Sequence, residues 1–411
     1  MTFRELLEKY KEGTLTEEEK LLVEQELEKS EAINDYLSDE LEKTLGLKSE
    51  INYEAVEENH VNDNEKIVRE IKRTVNRRLA AVVGISVACV LAIILLIQYV
   101  ISPIASSQYY DPTKKSSGQE FNQDLTYDLK AITEVSMPGY AIDFIYGAED
   151  LGFGEYNLLF KRRDLFTDET ETINAKIDKN MRIGTHEQFY PRIYTSFNGL
   201  LNYKEGTDEY DKILEFTKKL SDEDIEHVRE LPSTSYISAW VRFSEDLNMK
   251  ELYKAMDEYK KVDFKWIAVR TAQNQEEQMM GFLTGLNDGF NSDAVDEEKY
   301  PGFHLVDTMM LIPSRDPYED AMAKRYEMHF TSLLKYLSDR KVATSALVGN
   351  TKNYDYESAL NYVEENGINT YGALIYGEAN DLLGLWESGL IMLFDTDNVL
   401  PSKYIRNIYN N

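Results

Sequence analysis

The sequence predicts an α+β protein in three parts: a small all-α head, one transmembrane helix, and a mixed α/β tail ending in a ferredoxin-like domain. Three observations carry this. Leu79 to Ile101 is a run of 23 residues without Asp, Glu, Lys or Arg. Apolar residues near the N-terminus recur at helical spacing, and residues 226–400 contain two similar strand–helix–strand units.

The apolar run comes first because it divides the rest. At about 1.5 Å per residue a helix of this length reaches about 34 Å, enough to cross a hydrocarbon core of roughly 30 Å. It starts too far from the N-terminus for a secretory signal, so it should persist in the mature protein. Just before it stand Lys66, Arg69, Lys72, Arg73, Arg77 and Arg78 against the single acid Glu70, whereas Ser102 to Asp111 holds no base. By the positive-inside rule the head is cytoplasmic and the tail extracellular. The basic collar should also be drawn to anionic lipid. Within the span Ala80, Gly84, Ala88 and Ala92 recur every fourth residue, a small-residue stripe of the kind that lets helices pack closely in lipid. It suits contact with a second copy or another membrane protein, although such residues are also common in membrane helices.

The head, residues 1–50, reads as three helices at 3–11, 16–30 and 32–48. Phe3, Leu6, Leu7 and Tyr10 form one stripe, and Gly13 ends the first helix. Thr16 followed by Glu19 is a capping box that opens the second, whose inner face holds Leu22, Val23 and Leu27. Ile33, Tyr36, Leu37, Leu41 and Leu45 stripe the third. So small a core is marginal alone and should firm up when a partner covers it. Residues 1–65 hold 20 acids and 7 bases, which suits a basic protein partner and not nucleic acid. Residues 51–64 read as a linker, and helical pattern then runs unbroken through 65–101.

Beyond the span, 102–118 contains Pro103, Pro112, Gly118 and five serines and reads as a flexible stalk. Leu125 to Leu129 alternates apolar and polar residues, a strand signal, with further strands at 140–146, 155–162 and 171–183 and a helix at 209–220. These make a β-rich domain at 119–225. From 226 to 400 the order is strand 235–243, helix 249–259, strand 262–269, long helices at 317–340 and 355–366, strand 368–376, helix 378–387 and strand 390–394, leaving 401–411 as a tail. Two βαβ modules in tandem imply a ferredoxin-like sheet. Trp240, Trp266 and Trp386 sit in apolar runs and are assigned to the core.

Chemistry-bearing motifs are absent. The sole cysteine, Cys89, lies in the span, so the tail has no disulfide, a composition that fits a Gram-positive surface. His186, His227, His304 and His329 are widely spaced, and no HExxH, GxSxG, GxxxxGK[ST] or GxGxxG occurs. Asp288 to Asp293 and Asp395, Asp397 and Asn398 bring oxygen ligands close together but do not match the calcium loop template. No catalytic residue, metal or cofactor is expected.

The opening FRELLEKYKEGTLTEEEKLLVEQELEKSEAINDYL resembles the N-terminal domain of membrane-bound anti-sigma factors. ELPSTSYISAWVRFSEDLNMKELYKAM, VDFKWIAVRT, HFTSLLKYLSD and NGINTYGALIYGEANDLLGLWE resemble the C-terminal domain of the sigma factor regulator family. YYDPTK and LTYDLKAITEVSMPGY, with the span, resemble that family's N-terminal part. The resemblance implies a negative regulator that holds an extracytoplasmic-function sigma factor at the membrane and responds to the envelope through its tail. Many such heads carry a His-x3-Cys-x2-Cys zinc motif; this one has no cysteine and only His60. Phe3, Leu6, Leu7, Tyr10, Leu22, Leu27, Tyr36 and Leu37, with Glu18 and Glu26 around them, are the candidates for sigma-factor contact, the apolar ones being equally suited to the head's own core. Two other readings stay open: an anchored extracellular wall-binding protein or enzyme, and a scaffold for another cytoplasmic partner.

Overall fold

The computed structural model describes residues 61–115, 123–179, 181–183, 200, 203–273, 279–285, 295–312, 317–348 and 354–403, with backbone alone at 61–71 and 181–183. In the head it describes 9–10, 16, 19–21, 23–26, 28–29, 32–33 and 35–37. The chain divides into two compact units, Met1–Ile85 and Ser86–Asn411.

In the first unit the described head residues after Thr16 are helical, and they fall within the predicted helices. The capping box is formed: Glu19 N donates to Thr16 Oγ1 at 3.4 Å, and Thr16 N donates to Glu19 Oε2 at 3.1 Å. Each bond satisfies a backbone donor that the helix start leaves without a partner. Val23, read on the inner face of the second helix, is fully buried, whereas Ile33, Tyr36 and Leu37 of the third helix's apolar stripe are exposed.

Helix α1, Val61–Leu96, runs into a π turn at Ile97–Ile101 and a further helical turn at Ser102–Ser106. Proline 103 explains the widening. It has no N–H for an α bond and its ring crowds the preceding turn. The backbone instead closes a wide turn in which Ser102 N donates to Ile97 O. Lys72–Ser106 contains the one described helix long and apolar enough to cross a membrane, with mean hydropathy 3.0 over its most apolar window.

In the second unit, helix α2 spans Asp124–Ser136. This corrects the strand predicted at 125–129. All thirteen of its residues are buried. Its polar positions therefore meet buried partners and not water, which erases the one-sided pattern by which a helix is read. The strands β1 Tyr140–Gly152, β2 Glu155–Asp164, β3 Thr170–Asp178 and β4 Met181–Ile183 follow as an antiparallel meander. Tyr156, Leu158, Phe160, Ile173, Ala175 and Ile177 point into the core from β2 and β3.

Helix α3, Asp208–Glu230, starts near the predicted helix but continues ten residues beyond it. The rest is built on β5 Tyr236–Asn248, α4 Met249–Glu258, β6 Asp263–Val269, β7 Met280–Leu283, α5 Tyr318–Asp339, α6 Lys341–Val348, α7 Tyr356–Asn366, β8 Asn369–Glu378, α8 Ala379–Glu387 and β9 Ile391–Leu400. The sheet order is β7-β6-β8-β5-β9 with antiparallel neighbours. Without the extra edge strand β7 this is the order of a ferredoxin-like sheet, produced by the two tandem βαβ modules.

The alternation of β5 sorts its side chains. Ile237, Ala239, Val241 and Phe243 join the large core under the helices, while Tyr236 and Trp240 join a second cluster on the opposite face. There Trp240 and Trp266 meet edge-on at 6.2 Å, and Phe166 stacks on Tyr236 at 5.4 Å. Trp266 also donates Nε1–H to Glu134 O at 2.7 Å. Trp386 is only partly buried at the rim of the large core. Residues from both 119–225 and 226–400 contribute to the large core, so packing is continuous across the boundary read in the sequence.

Candidate functional site

The start of the stalk predicted for 102–118 is bonded to the domain, while 116–118 lie outside the described residues. Ser102 Oγ accepts from Phe153 N at 2.9 Å, and Ser106 Oγ accepts from Gly154 N at 2.9 Å. The end of the membrane helix is thereby bonded to the turn of the β1–β2 hairpin. Gly154 is required here: its φ is +80°, and an added Cβ would lie 2.6 Å from the Tyr109 ring. The chain then passes through Tyr110, which is buried, and Asp111, whose Oδ1 accepts from Thr113 N at 2.9 Å. Asp124 N donates to Lys114 O at 2.7 Å, and this starts α2. A stretch rich in serine and proline reads as a tether in sequence. Here the hydroxyls of Ser102 and Ser106 accept from backbone donors of a strand turn some fifty residues later.

Tyr110 anchors this path to the core. Its hydroxyl donates to Asp128 Oδ2 at 2.6 Å. Tyr336 on α5 donates to Asp128 Oδ1 at 2.8 Å. Arg340, at the C-cap of α5, donates Nε to Oδ1 at 2.7 Å and Nη2 to Oδ2 at 2.6 Å, a bidentate pair. Its Nη1 also reaches Asp124 Oδ2 at 3.1 Å. Asp124 and Asp128 are four apart on α2 and so share the face turned to Arg340. Burial raises the Asp128 carboxyl above its ordinary range, and the Arg340 and tyrosine hydrogen bonds only partly offset it. Burial together with the Asp128 charge pushes the Tyr110 and Tyr336 hydroxyls well above the usual tyrosine value.

One turn further along α2 lies a second polar set. Lys130 Nζ meets His304 Nδ1 at 2.6 Å. Glu134 Oε1 meets His329 Nε2 at 2.7 Å, while His329 Nδ1 faces Gly302 O at 2.9 Å. Burial raises the Glu134 carboxyl, but the charge and hydrogen bond of His329, with Lys130 nearby, outweigh it and hold it below the ordinary range. These groups are enclosed and paired with one another. The arrangement fixes α2 against α5 and the loop before it.

Beside the junction a cavity of about 990 Å³ is lined by Ser106, Tyr109, Lys114, Asp150, Arg340 and Lys341, among others. Lys341 is paired with Glu357. The walls carry both signs of charge, so the cavity is polar and suits a ligand with both donors and acceptors.

The sequence-predicted contact residues fall elsewhere. Phe3, Leu6, Leu7, Glu18, Leu22 and Leu27 lie outside the described residues. Tyr10 is half-buried and donates to Glu24 Oε1 at 3.3 Å. Glu26 is exposed and paired with Lys29 at 2.6 Å; Tyr36 and Leu37 are exposed. Ala80, Gly84, Ala88 and Ala92 are all exposed along α1. Of the two acidic groups, Asp288–Asp293 lies outside the described residues. In the other, Asp397 Oδ2 accepts from Ser238 Oγ at 3.0 Å and Asn398 Oδ1 accepts from Val399 N at 2.8 Å. Among the described residues no cluster of His, Cys, Asp and Glu is placed to hold a metal ion. Sequence reasoning missed Ser102, Ser106, Tyr110, Asp128 and Arg340. The Gly-Phe-Gly turn at 152–154 was the available signal, since paired glycines mark a tight turn or a close approach.

Among the described residues, one helix long and apolar enough to cross a membrane is joined to a folded domain built on a ferredoxin-like sheet, which points to the class of membrane-anchored proteins. Residues 228–392 match the family model described as sigma factor regulator C-terminal. The match bears out, for that part of the chain, the resemblance seen in its C-terminal sequence. The match runs from the end of α3 into β9 and so takes in the strands and helices of the ferredoxin-like sheet. No curated protein and no solved structure matches the chain.

Proposed function

We propose that this protein is a membrane-anchored anti-sigma factor. Its N-terminal head lies in the cytoplasm and sequesters an extracytoplasmic-function sigma factor. Its C-terminal domain lies outside and responds to the state of the envelope. The family match at 228–392 carries this reading. The six-base collar before the span, with no base in the ten residues after it, supports the orientation. Leu21, Ile33, Tyr36 and Leu37 are exposed on an acidic head, which suits capture of a basic protein partner with apolar contacts.

The mechanism follows from the junction. A flexible stalk would absorb any movement of the outer domain. The bonds from Ser102 and Ser106 to the β1–β2 turn, and from Tyr110 to Asp128, instead tie that domain to the helix end. A ligand or partner that shifts the domain shifts the top of the span with it. The small-residue stripe offers a face on which a second copy or another membrane protein could sense that shift. The protein acts by holding and releasing a partner, without a reaction of its own.

The test is a promoter reporter for the sigma factor that the protein holds. Deleting residues 1–60 should raise reporter activity to the level of the whole-gene deletion. Unchanged activity on deletion, with the sigma factor present in the cell, would refute the reading.

A further inference from the structure

The tip of the β1–β2 hairpin sits beside the end of the span. Phe153 N is bonded to Ser102, the first residue after Leu79–Ile101, and Gly154 N to Ser106, one turn later. The interfacial layer of a bilayer is about 5–7 Å thick on each side, and a rise of about 1.5 Å per residue carries Ser102–Ser106 through about 6 Å. Backbone atoms bonded to those two serines therefore lie within that layer. The hairpin tip is held at headgroup depth by the same hydrogen bonds that dock the helix.

The side chains at this level are apolar. Leu151 is 44% exposed, Phe153 41%, and Ile104 on the helix side 64%. Phe153 is also an unusual choice for its backbone. Gly152 pairs with Glu155, so Phe153 and Gly154 form a two-residue turn, with φ of +56° and +80°. A turn with both residues in the left-handed region favours Asn, Asp or Gly, and an aromatic residue gains nothing from it locally. Turn chemistry does not select Phe153; an apolar environment at the tip does. Aromatic rings favour the membrane interface.

The charges nearby select the kind of surface. Glu149 and Asp150 are exposed beside the tip, Lys179, whose N donates to Gly154 O at 3.0 Å, lies 3.9 Å from the Asp178 carboxylate, and Ser102–Asp111 holds no base, so the surroundings carry no net positive charge. Attraction to anionic headgroups is therefore not the driving force; burial of apolar side chains is.

We propose that the β1–β2 hairpin tip is a second membrane contact, in which Leu151 and Phe153 insert into the interfacial layer of the bilayer crossed by α1. This rests on the reading that α1 spans a membrane. The contact holds the C-terminal domain against the membrane surface at two points, so that the domain rotates about the span only by withdrawing the tip from lipid.

The experiment uses the full chain in phosphatidylcholine vesicles. In a Cys89→Ala background, single nitroxide labels are placed at Leu151→Cys, Phe153→Cys, Val90→Cys in the span and Lys254→Cys on the exposed side of α4. Their relative accessibility to oxygen and to a water-soluble nickel complex reports depth. The expected result is an oxygen-to-nickel ratio at 151 and 153 several-fold above that at 254 and below that at 90. Leu151→Cys keeps the turn residue intact, so it decides the matter if Phe153→Cys does not fold. A deep reading at 90 with readings at 151 and 153 equal to that at 254 overturns the proposal and leaves the span standing. An aqueous reading at 90 overturns the span and the proposal together.

Discussion

Arg340→Ala removes both guanidinium bonds from Asp128, a carboxylate whose side chain is 1% exposed, and leaves it with the two tyrosine hydroxyls. Breaking one partner out of a buried ion pair costs about 3–5 kcal/mol, because the remaining charge is stranded. The surviving bonds from Tyr110 and Tyr336, and the partial exposure of Arg340, place the expected cost near the lower end, about 3 kcal/mol. At about 2–4 °C per kcal/mol for a domain of this order of size, Tm should fall by about 6–12 °C. The assay is thermal unfolding of the detergent-solubilised full chain followed by near-ultraviolet circular dichroism, which reads the packed tyrosines and tryptophans. Adding Asp128→Asn should restore about 1–2 kcal/mol, since the amide keeps an acceptor for the tyrosines and carries no charge to strand. Acid should narrow the gap as well. A buried carboxyl raised above its unfolded value stabilises the fold more as pH falls, and loss of Arg340 raises Asp128 further. A Tm within about 2 °C of the parent, or a double variant less stable than Arg340→Ala alone, would refute the reasoning.

Other outcomes follow from the same structure. Burial, with Asp224 and Asp397 adding to it, pushes the Asp395 carboxyl up to about 6. Its contribution is full below the unfolded value and is lost as pH rises through about 6, so Asp395→Asn should raise Tm at neutral pH and leave it unchanged in acid. A Tm-against-pH series for both proteins checks the crossing point. An added Cβ at Gly281 would lie 1.9 Å from Ile267 O and 2.5 Å from the Trp266 ring. Gly281→Ala should therefore destabilise by about 3 kcal/mol, the upper range for overpacking, measured by denaturant unfolding. Ser102→Ala with Ser106→Ala removes both acceptors at the junction, at about 0.5–1.5 kcal/mol each. Amide hydrogen exchange at Phe153 and Gly154 should speed up, while that of β5 and β8 stays unchanged.

How much of this was legible in the sequence depended on whether one face of an element meets water. The capping box at Thr16 and Glu19, the apolar span and the two βαβ modules were read correctly because local spacing decides them. Trp240 and Trp266 lie in the core, as their apolar runs implied. Helix α2 was misread because Asp128, Lys130 and Glu134 are buried against Arg340, His304 and His329, partners 174 to 212 residues away. Nothing within its own thirteen residues could signal that. The junction was misread for a related reason. Pro103 breaks a helix interior but is tolerated in a first turn, and the serines found acceptor roles in a distant hairpin. Periodicity grouped Ile33, Tyr36 and Leu37 on one apolar face, and that face is exposed. Helical spacing identifies an apolar face but not what covers it.

The central claim is that the head holds a sigma factor. The most direct measurement is affinity purification of the tagged full chain from membranes of cells that express the sigma factor, with a chain lacking residues 1–60 alongside. One sigma factor should be recovered in near-equal amount with the full chain and none with the truncated chain. Absence of any sigma factor from the full chain, or equal recovery with the head removed, would contradict it.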